Sequence, residues 1–378
     1  MTTIELFAGI GGFRLAADAQ KLQTEWANDC CPKACKVYRD QFGNHSIQQG
    51  DIRTLLDSIP SHDVLTGGFP CQPFSSAGKK RGIKDPRGTL FSVVVDVLRK
   101  HQPGFFVLEN VKRLLTMERG MHFATILASL AELDYRIEWR LLNVADFGLP
   151  QNRQRVFIVG ARRPTSVDVV RLASLDDLNG IASRTTVSPR SWADIGSHGS
   201  RFPNWGLAQE GRFYGADLAR FSHAQEEVKL GAVLQNAVPV EFDFTESTIR
   251  RLKDSTPVKR YVGGVEILSN QGGGARMGYT VFGINGLAPT LTSTASRHYE
   301  RYKIGDRYRR LTNVEYARIQ GFPDCHCSAA SVYDQYALYG NAVPPVMAAW
   351  VLKRAMAEGC SVRPLLRQLH QQILFADA

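Results

Sequence analysis

Cys71 is the side chain whose surroundings most suggest that it reacts. It lies in Gly67-Gly68-Phe69-Pro70-Cys71-Gln72-Pro73-Phe74-Ser75, just after the apolar pair Val64-Leu65. The two glycines allow close backbone approach and Pro70 biases Phe69 toward extended backbone, so the segment reads as a constrained turn presenting a thiol at the rim of a sheet. Taken alone, a Pro-Cys pair reads more simply as a buried structural cysteine. What argues otherwise is the company it keeps. Glu109 follows the apolar run 105–108, and Gln151-Asn152-Arg153-Gln154-Arg155 immediately precedes another apolar run. A thiol nucleophile, a carboxyl group and a pair of guanidinium groups together suit covalent catalysis on a polar substrate.

For such groups to meet, several strands must end in one place. Through about residue 160, short apolar runs alternate with helical patterns, the signature of an α/β fold with a doubly wound, mostly parallel sheet. Residues 4–7 predict a first strand, running into Ala8-Gly9-Ile10-Gly11-Gly12 and a helix over 13–19. Residues 24–27 predict a second, ending at Asn28 and Asp29. Residues 63–66 predict a third, with Cys71 just beyond it; 105–108 a fourth, ending at Glu109; and 156–159 a further strand. Ligands of open parallel sheets sit beyond the carboxyl ends of the strands, so the glycine loop, Asp29, Cys71 and Glu109 are expected to face one crevice. After Arg163, Gly, Ser, Asn and Pro become frequent and helical periodicity fades, which predicts a smaller, irregular second domain. Regular patterning returns with a helix over 311–321 and a closing helix over 346–357 that packs back on the first domain. Apolar residues at helical spacing after Gly359 predict a docked terminal helix.

The 378 residues are 44% hydrophobic and 22% charged, enough for one large core and a smaller unit. The net charge of +10 favours a polyanionic partner without deciding for nucleic acid. Seven cysteines, no leader-like opening and no run of membrane-spanning length fit a reducing cytoplasm and no membrane. Cys30, Cys31 and Cys35, and the Cys325-His326-Cys327 run, contain no C-x-x-C pair, so no metal site is expected.

Taken in order, these segments resemble the cytosine-5 DNA methyltransferase family, of the bacterial modification type, over nearly the whole chain. Residues 5–13 resemble its cofactor loop, 69–75 its nucleophile motif, 87–91 its Arg-Gly-Thr-Leu-Phe segment and Glu109-Asn110-Val111 its carboxylate motif. Residues 151–155 resemble its Q-x-R-x-R motif, and 310–323 and 340–343 its last two motifs. The resemblance implies a Rossmann-like methyltransferase fold in three parts. These are a catalytic and S-adenosylmethionine-binding domain over 1–185, a target-recognition domain over 186–287, and a return segment over 288–378 that completes the first and carries the C-terminal helices.

It also implies roles. Cys71 would attack carbon 6 of cytosine, Glu109 would support charge at ring nitrogen 3, Arg155 would bind the ring oxygen, and Arg153 would hold the catalytic loop or the backbone, with the division between the two arginines left open. Phe7, Ala8, Gly9, Ile10, Gly11 and Gly12 would wrap the methionine part of S-adenosylmethionine, which leaves as S-adenosylhomocysteine. Asp29 would accept the ribose hydroxyls, Asp51 and Ile52 would frame the adenine, and Pro70, Leu90, Asn341 and Ala342 would complete the pocket. Cys30 stands where relatives often carry an aromatic on the adenine, and Asp29 is one methylene shorter than the common glutamate. Residues 76–88 resemble the mobile active-site loop, and Arg251, Arg276 and Arg297 are candidate base readers. The implied partner is double-stranded DNA, bound by a monomer, with a cognate restriction endonuclease as a possible companion. An RNA-directed relative is disfavoured by the long variable region, and a non-catalytic relative by the presence of both Cys71 and Glu109.

Overall fold

The computed structural model of the chain describes residues 1–70, 90–162, 169–173, 177, 193–219, 221, 226–271, 279–293, 300–357 and the backbone of 360–361. The first half runs β1 (Thr2–Leu6), α1 (Gly12–Ala19), β2 (Gln23–Asp29), α2 (Pro32–Phe42), β3 (Gln48–Gln49), β4 (Val64–Gly67), α3 (Leu90–His101), β5 (Phe105–Val111), α4 (Met121–Ala131), β6 (Tyr135–Asn143) and β7 (Gln154–Arg162). There follow β8 (Val169–Val170), β9 (Ala193–Asp194), β10 (Trp205–Gln209), β11 (Arg212–Ala216), α5 (Glu246–Lys253), β12 (Thr256–Val262), β13 (Val265–Asn270), β14 (Thr280–Phe282), β15 (Arg301–Ile304) and β16 (Arg307–Arg309). The chain closes with α6 (Asn313–Gln320), α7 (Val332–Asn341), α8 (Pro345–Met356) and β17 (Cys360–Ser361), which pairs with β8.

Among the described residues, ten strands form one sheet in the order β3-β2-β1-β4-β5-β7-β6-β10-β11-β9. From β3 to β5 every pairing is parallel, and from β5 onward it is antiparallel. The order reverses direction beside β1, the place where doubly wound sheets open a crevice.

Two-residue alternation buries both faces of this sheet. Ile4, Leu6, Leu65, Phe106, Leu108, Val156 and Ile158 point to one face, where α3 and α4 cover them with Val94, Leu98, Phe123 and Leu127. Val64, Val107, Phe157 and Val159 point to the other. There α1 contributes Phe13, Ala16 and Ala17 at helical spacing, and α8 contributes Met347, Val351 and Leu352. The last helix therefore packs on the first domain, with Pro345 entering its first turn. The terminal helix expected after Gly359 lies outside the described residues.

A smaller sheet, β12-β13-β14-β15-β16, forms the second layer system, with its core of Val265, Phe282, Tyr302, Leu311 and Tyr316. Its strands span 256–309, so it draws on both sides of the boundary expected at 287. Residues 193–216 extend the large sheet through the β6–β10 pairing and contribute Ile195, Phe202, Ala208 and Phe213 to its core. Gly206 and Gly215 weaken the strand pattern of β10 and β11. Gly206 lies opposite Trp139, and a Cβ there would sit 2.2 Å from the indole ring, so this strand trades β propensity for room.

Candidate active site

Glu109, Arg155 and Arg153 share a face for a simple reason of register. β5 and β7 pair antiparallel with Glu109 opposite Phe157 and Val111 opposite Arg155, which makes Glu109 and Arg155 diagonal neighbours. Arg155 donates from Nε to Glu109 Oε1 at 2.8 Å. Glu109 is 8% exposed, and burial pushes its pKa up while the two arginines pull it back. Arg153 continues the alternation but turns into the protein, donating to the carbonyls of Leu291 (2.8 Å), Gly340 (2.9 Å) and Ala342 (3.1 Å). Burial, with Arg155 nearby, brings its pKa down to about 9. It thus ties the large sheet to the segment before β15 and to the C-terminal end of α7. Gln151 does similar work, donating to Gln320 Oε1 and accepting from the Leu291 N–H.

An Arg153→Met protein leaves three buried carbonyls without a charged donor, at about 1.5 kcal/mol or more each. We expect a stability loss of at least about 3 kcal/mol in urea melts, a larger loss than Arg155→Met produces.

Asn110 points to the opposite face of β5, where its Nδ2 donates to the Phe69 carbonyl at 2.8 Å. An ideal Cβ on Gly68 would lie 3.4 Å from Glu109 Oε2. The segment leading to Cys71 is therefore anchored beside the carboxyl group. Cys71 itself, the loop 76–88, Arg276 and Arg297 lie outside the described residues; Arg251 sits on α5, where its guanidinium donates to Thr248.

The glycine loop starts with a strained residue. Phe7 has φ 55°, a left-handed conformation that non-glycine residues rarely adopt away from functional sites. Beyond it the chain turns through Gly9 and Gly11 into α1. Asp29, at the end of β2, accepts from the Gly9 N–H (2.8 Å) and the Cys31 N–H (2.7 Å), which fixes the loop against the next strand. Asp51 accepts from Arg53 through both carboxylate oxygens, and that pairing holds its pKa down at about 2.

Glu5 carries little signal in the sequence. It lies in β1 between Ile4 and Leu6, 2% exposed, accepting from Tyr38 at 3.0 Å beside the start of α1. A carboxylate between two core residues was the available signal. Asn110 likewise shows no role in sequence beyond its place in the Glu109-Asn110-Val111 motif.

One cavity of about 800 Å³ gathers these groups. Phe7, Ala8, Gly9, Ile10, Gly12, Asp29, Cys30, Asp51, Ile52, Pro70, Leu90, Asn341 and Ala342 line it, and so do Glu109, Arg153 and Arg155. Gly11 does not. Its volume falls in the ~300–1,000 Å³ range of small-molecule sites. Gly12 meets the return segment so closely that a Cβ would lie 2.2 Å from the Val343 carbonyl oxygen. Gly12→Ala must therefore push the loop and Val343 apart, costing about 1–3 kcal/mol by overpacking, and should reduce ligand affinity in a titration as well as the melting temperature.

Among the described residues, no cluster of His, Cys, Asp and Glu could hold a metal ion, and no helix is long and apolar enough to cross a membrane.

The chain matches the model of the C-5 cytosine-specific DNA methylase family over residues 1–357. It is 32% identical over 351 residues to type II methyltransferase M1.ScrFI of Lactococcus lactis subsp. cremoris, a match covering 90% of this chain and 74% of that protein. To type II methyltransferase M.HpaII of Haemophilus parainfluenzae it is 31% identical over 365 residues, covering 92% and 87%. Its fold is similar to that of the S. pombe Dnmt2 methyltransferase, with a TM-score of 0.62 at 17% identity over 97% of this chain and 99% of that one. The buried carboxyl–guanidinium pair and the glycine loop thus sit in one cavity of a chain that belongs to the C-5 cytosine-specific DNA methylase family and is a DNA cytosine-5 methyltransferase.

Proposed function

We propose that this enzyme methylates carbon 5 of a cytosine swung out of duplex DNA at a specific sequence, through a transient bond between Cys71 and carbon 6, as the modification enzyme of a restriction system. The observation that carries this reading is the single cavity shared by the glycine loop, Asp29, Pro70 and the Glu109–Arg155 pair. A methyl donor and a flipped base would meet there.

S-adenosylmethionine suits the cavity: Phe7 and Ile52 offer apolar wall, while Asp29 and Asp51 keep lone pairs for hydroxyl and amine donors. When bound, it supplies an electrophilic methyl group. The chain's own residues do the rest. Cys71 adds as thiolate to carbon 6, placing electron density on carbon 5. Glu109 in its acid form holds a proton at ring nitrogen 3, where negative charge would otherwise build. Arg155, paired through Nε with Glu109 at the cavity, is the arginine that would donate to the ring oxygen; Arg153, whose terminal N–H groups go to backbone carbonyls, acts as a frame. Loss of the carbon 5 proton to a base, with expulsion of the Cys71 thiolate, restores the aromatic ring. Attack from above the ring plane requires the base to leave the stack.

Bisulfite sequencing of plasmid recovered from cells expressing the chain tests the reading. Protected cytosines should recur within one short sequence. Plasmid with every cytosine converted would overturn it.

A further inference from the structure

His326 lies far from the glycine loop in sequence, between α6 and α7, and is absent from the catalytic set above. It is 1% exposed, and its Nε2 sits 2.7 Å from the Ile10 carbonyl oxygen. A carbonyl only accepts, so Nε2 carries the hydrogen. Nδ1 is buried without a hydrogen-bond partner. The ring is held by Phe322 at 4.8 Å and Phe42 at 6.1 Å, and Phe42 in turn packs on Tyr38, the residue that donates to Glu5. On the far side of the same peptide unit, the Gly11 N–H donates to the Ala8 carbonyl at 2.9 Å. The Ile10–Gly11 peptide is therefore fixed from both ends, once by its own loop and once by a side chain from the C-terminal part of the chain.

We infer that His326 is a positioning residue for the glycine loop: its Nε2–H sets the orientation of the Ile10–Gly11 peptide and so prepares the loop to hold the methyl donor. This rests on the reading of the cavity as the donor site. A buried polar ring among aromatics is otherwise an expensive way to fill space, since a phenyl ring would fit the same contacts without a polar atom lacking a partner. The hydrogen bond to the loop is what the imidazole adds.

The test compares H326F, which keeps a ring and removes the donor, with H326Q, which keeps an N–H donor. S-adenosylhomocysteine affinity is measured by calorimetry, with KM for S-adenosylmethionine, kcat, KM for DNA and melting temperature alongside. H326F should bind S-adenosylhomocysteine about tenfold more weakly, the worth of one buried hydrogen bond, and raise KM for S-adenosylmethionine in step. The kcat at saturating donor and the KM for DNA should stay within about twofold, and H326Q should recover most of the affinity. If H326F does not fold, H326M takes its place. Unchanged affinity in H326F, or equal weakening in both variants tracking their melting temperatures, would overturn the inference alone. Failure of the unaltered enzyme to bind S-adenosylhomocysteine would overturn the donor-site reading beneath it.

Discussion

A Cys71→Ser enzyme is expected to lose methyl transfer by about 1,000-fold or more, because a hydroxyl is a far weaker acid than a thiol and supplies almost no anion to add to carbon 6. DNA binding should survive, since the change is one atom. Two measurements separate this from a general defect. Incorporation of labelled methyl groups reports the rate, and a duplex with 5-fluorocytosine at the target reports the adduct. Fluorine at carbon 5 blocks the proton loss that precedes thiolate expulsion, so the unaltered enzyme should accumulate a denaturant-stable complex with such DNA and the serine variant should form none. Three of the described cysteines, Cys30, Cys35 and Cys327, are poor substitutes. Cys30 lines the cavity, yet partial burial and the neighbouring Asp29 push its thiol pKa up, away from the thiolate that attack requires. Cys35 and Cys327 are buried and their thiols are pushed up to about 12. Undiminished turnover in Cys71→Ser would remove the covalent mechanism and the role of every residue argued from it.

The parts of this fold that sequence makes legible are those written in local pattern. Unbroken apolar runs at 105–108 and 156–159 mark strands buried on two faces, and the glycine loop after 4–7 marks a strand turning into a helix. Hence Asp29 and Glu109 were expected at one crevice from their positions at strand ends, and both line one cavity. What escaped depends on partners distant in the chain. Arg153 turns inward because the carbonyls of Leu291 and Gly340 await it 138 and 187 residues later. Spacing alone could not separate it from Arg155, two positions on and with a similar side chain. Glu5 gains its surroundings from Tyr38 and the start of α1. The strand at 205–209 is hard to read in sequence because Gly206 takes the space Trp139 leaves, a requirement of packing and not of strand formation. Local pattern thus locates strand ends, while the division of labour between neighbouring side chains is set by tertiary contacts.

That division bears directly on Glu109, where replacement by glutamine is expected to reduce kcat about 100- to 1,000-fold, the usual worth of a positioned general acid. Glutamine can still hydrogen-bond the ring edge, so KM for DNA should change little and the loss should appear in a single-turnover rate. The pH dependence carries the sharper signature. Burial raises the Glu109 pKa above its ordinary 4.5, and Arg155 and Arg153 limit the rise. The acid form is the one that serves the reaction, so the rate of the unaltered enzyme should fall as pH climbs through the raised value, whereas Glu109→Gln should show no such limb. Stability should move the opposite way. A carboxyl whose folded pKa lies above its unfolded one contributes stability that is complete below 4.5 and lost as pH rises through the folded value. Above that window the native protein holds a buried carboxylate that only partly recovers its lost hydration from Arg155. Glutamine carries no such charge, so Glu109→Gln should melt no lower than the unaltered enzyme at alkaline pH while turning over far more slowly. A variant that melts lower throughout, or keeps both its rate and an alkaline limb, would mark Glu109 as a structural partner of Arg155 and leave the proton at ring nitrogen 3 without a source.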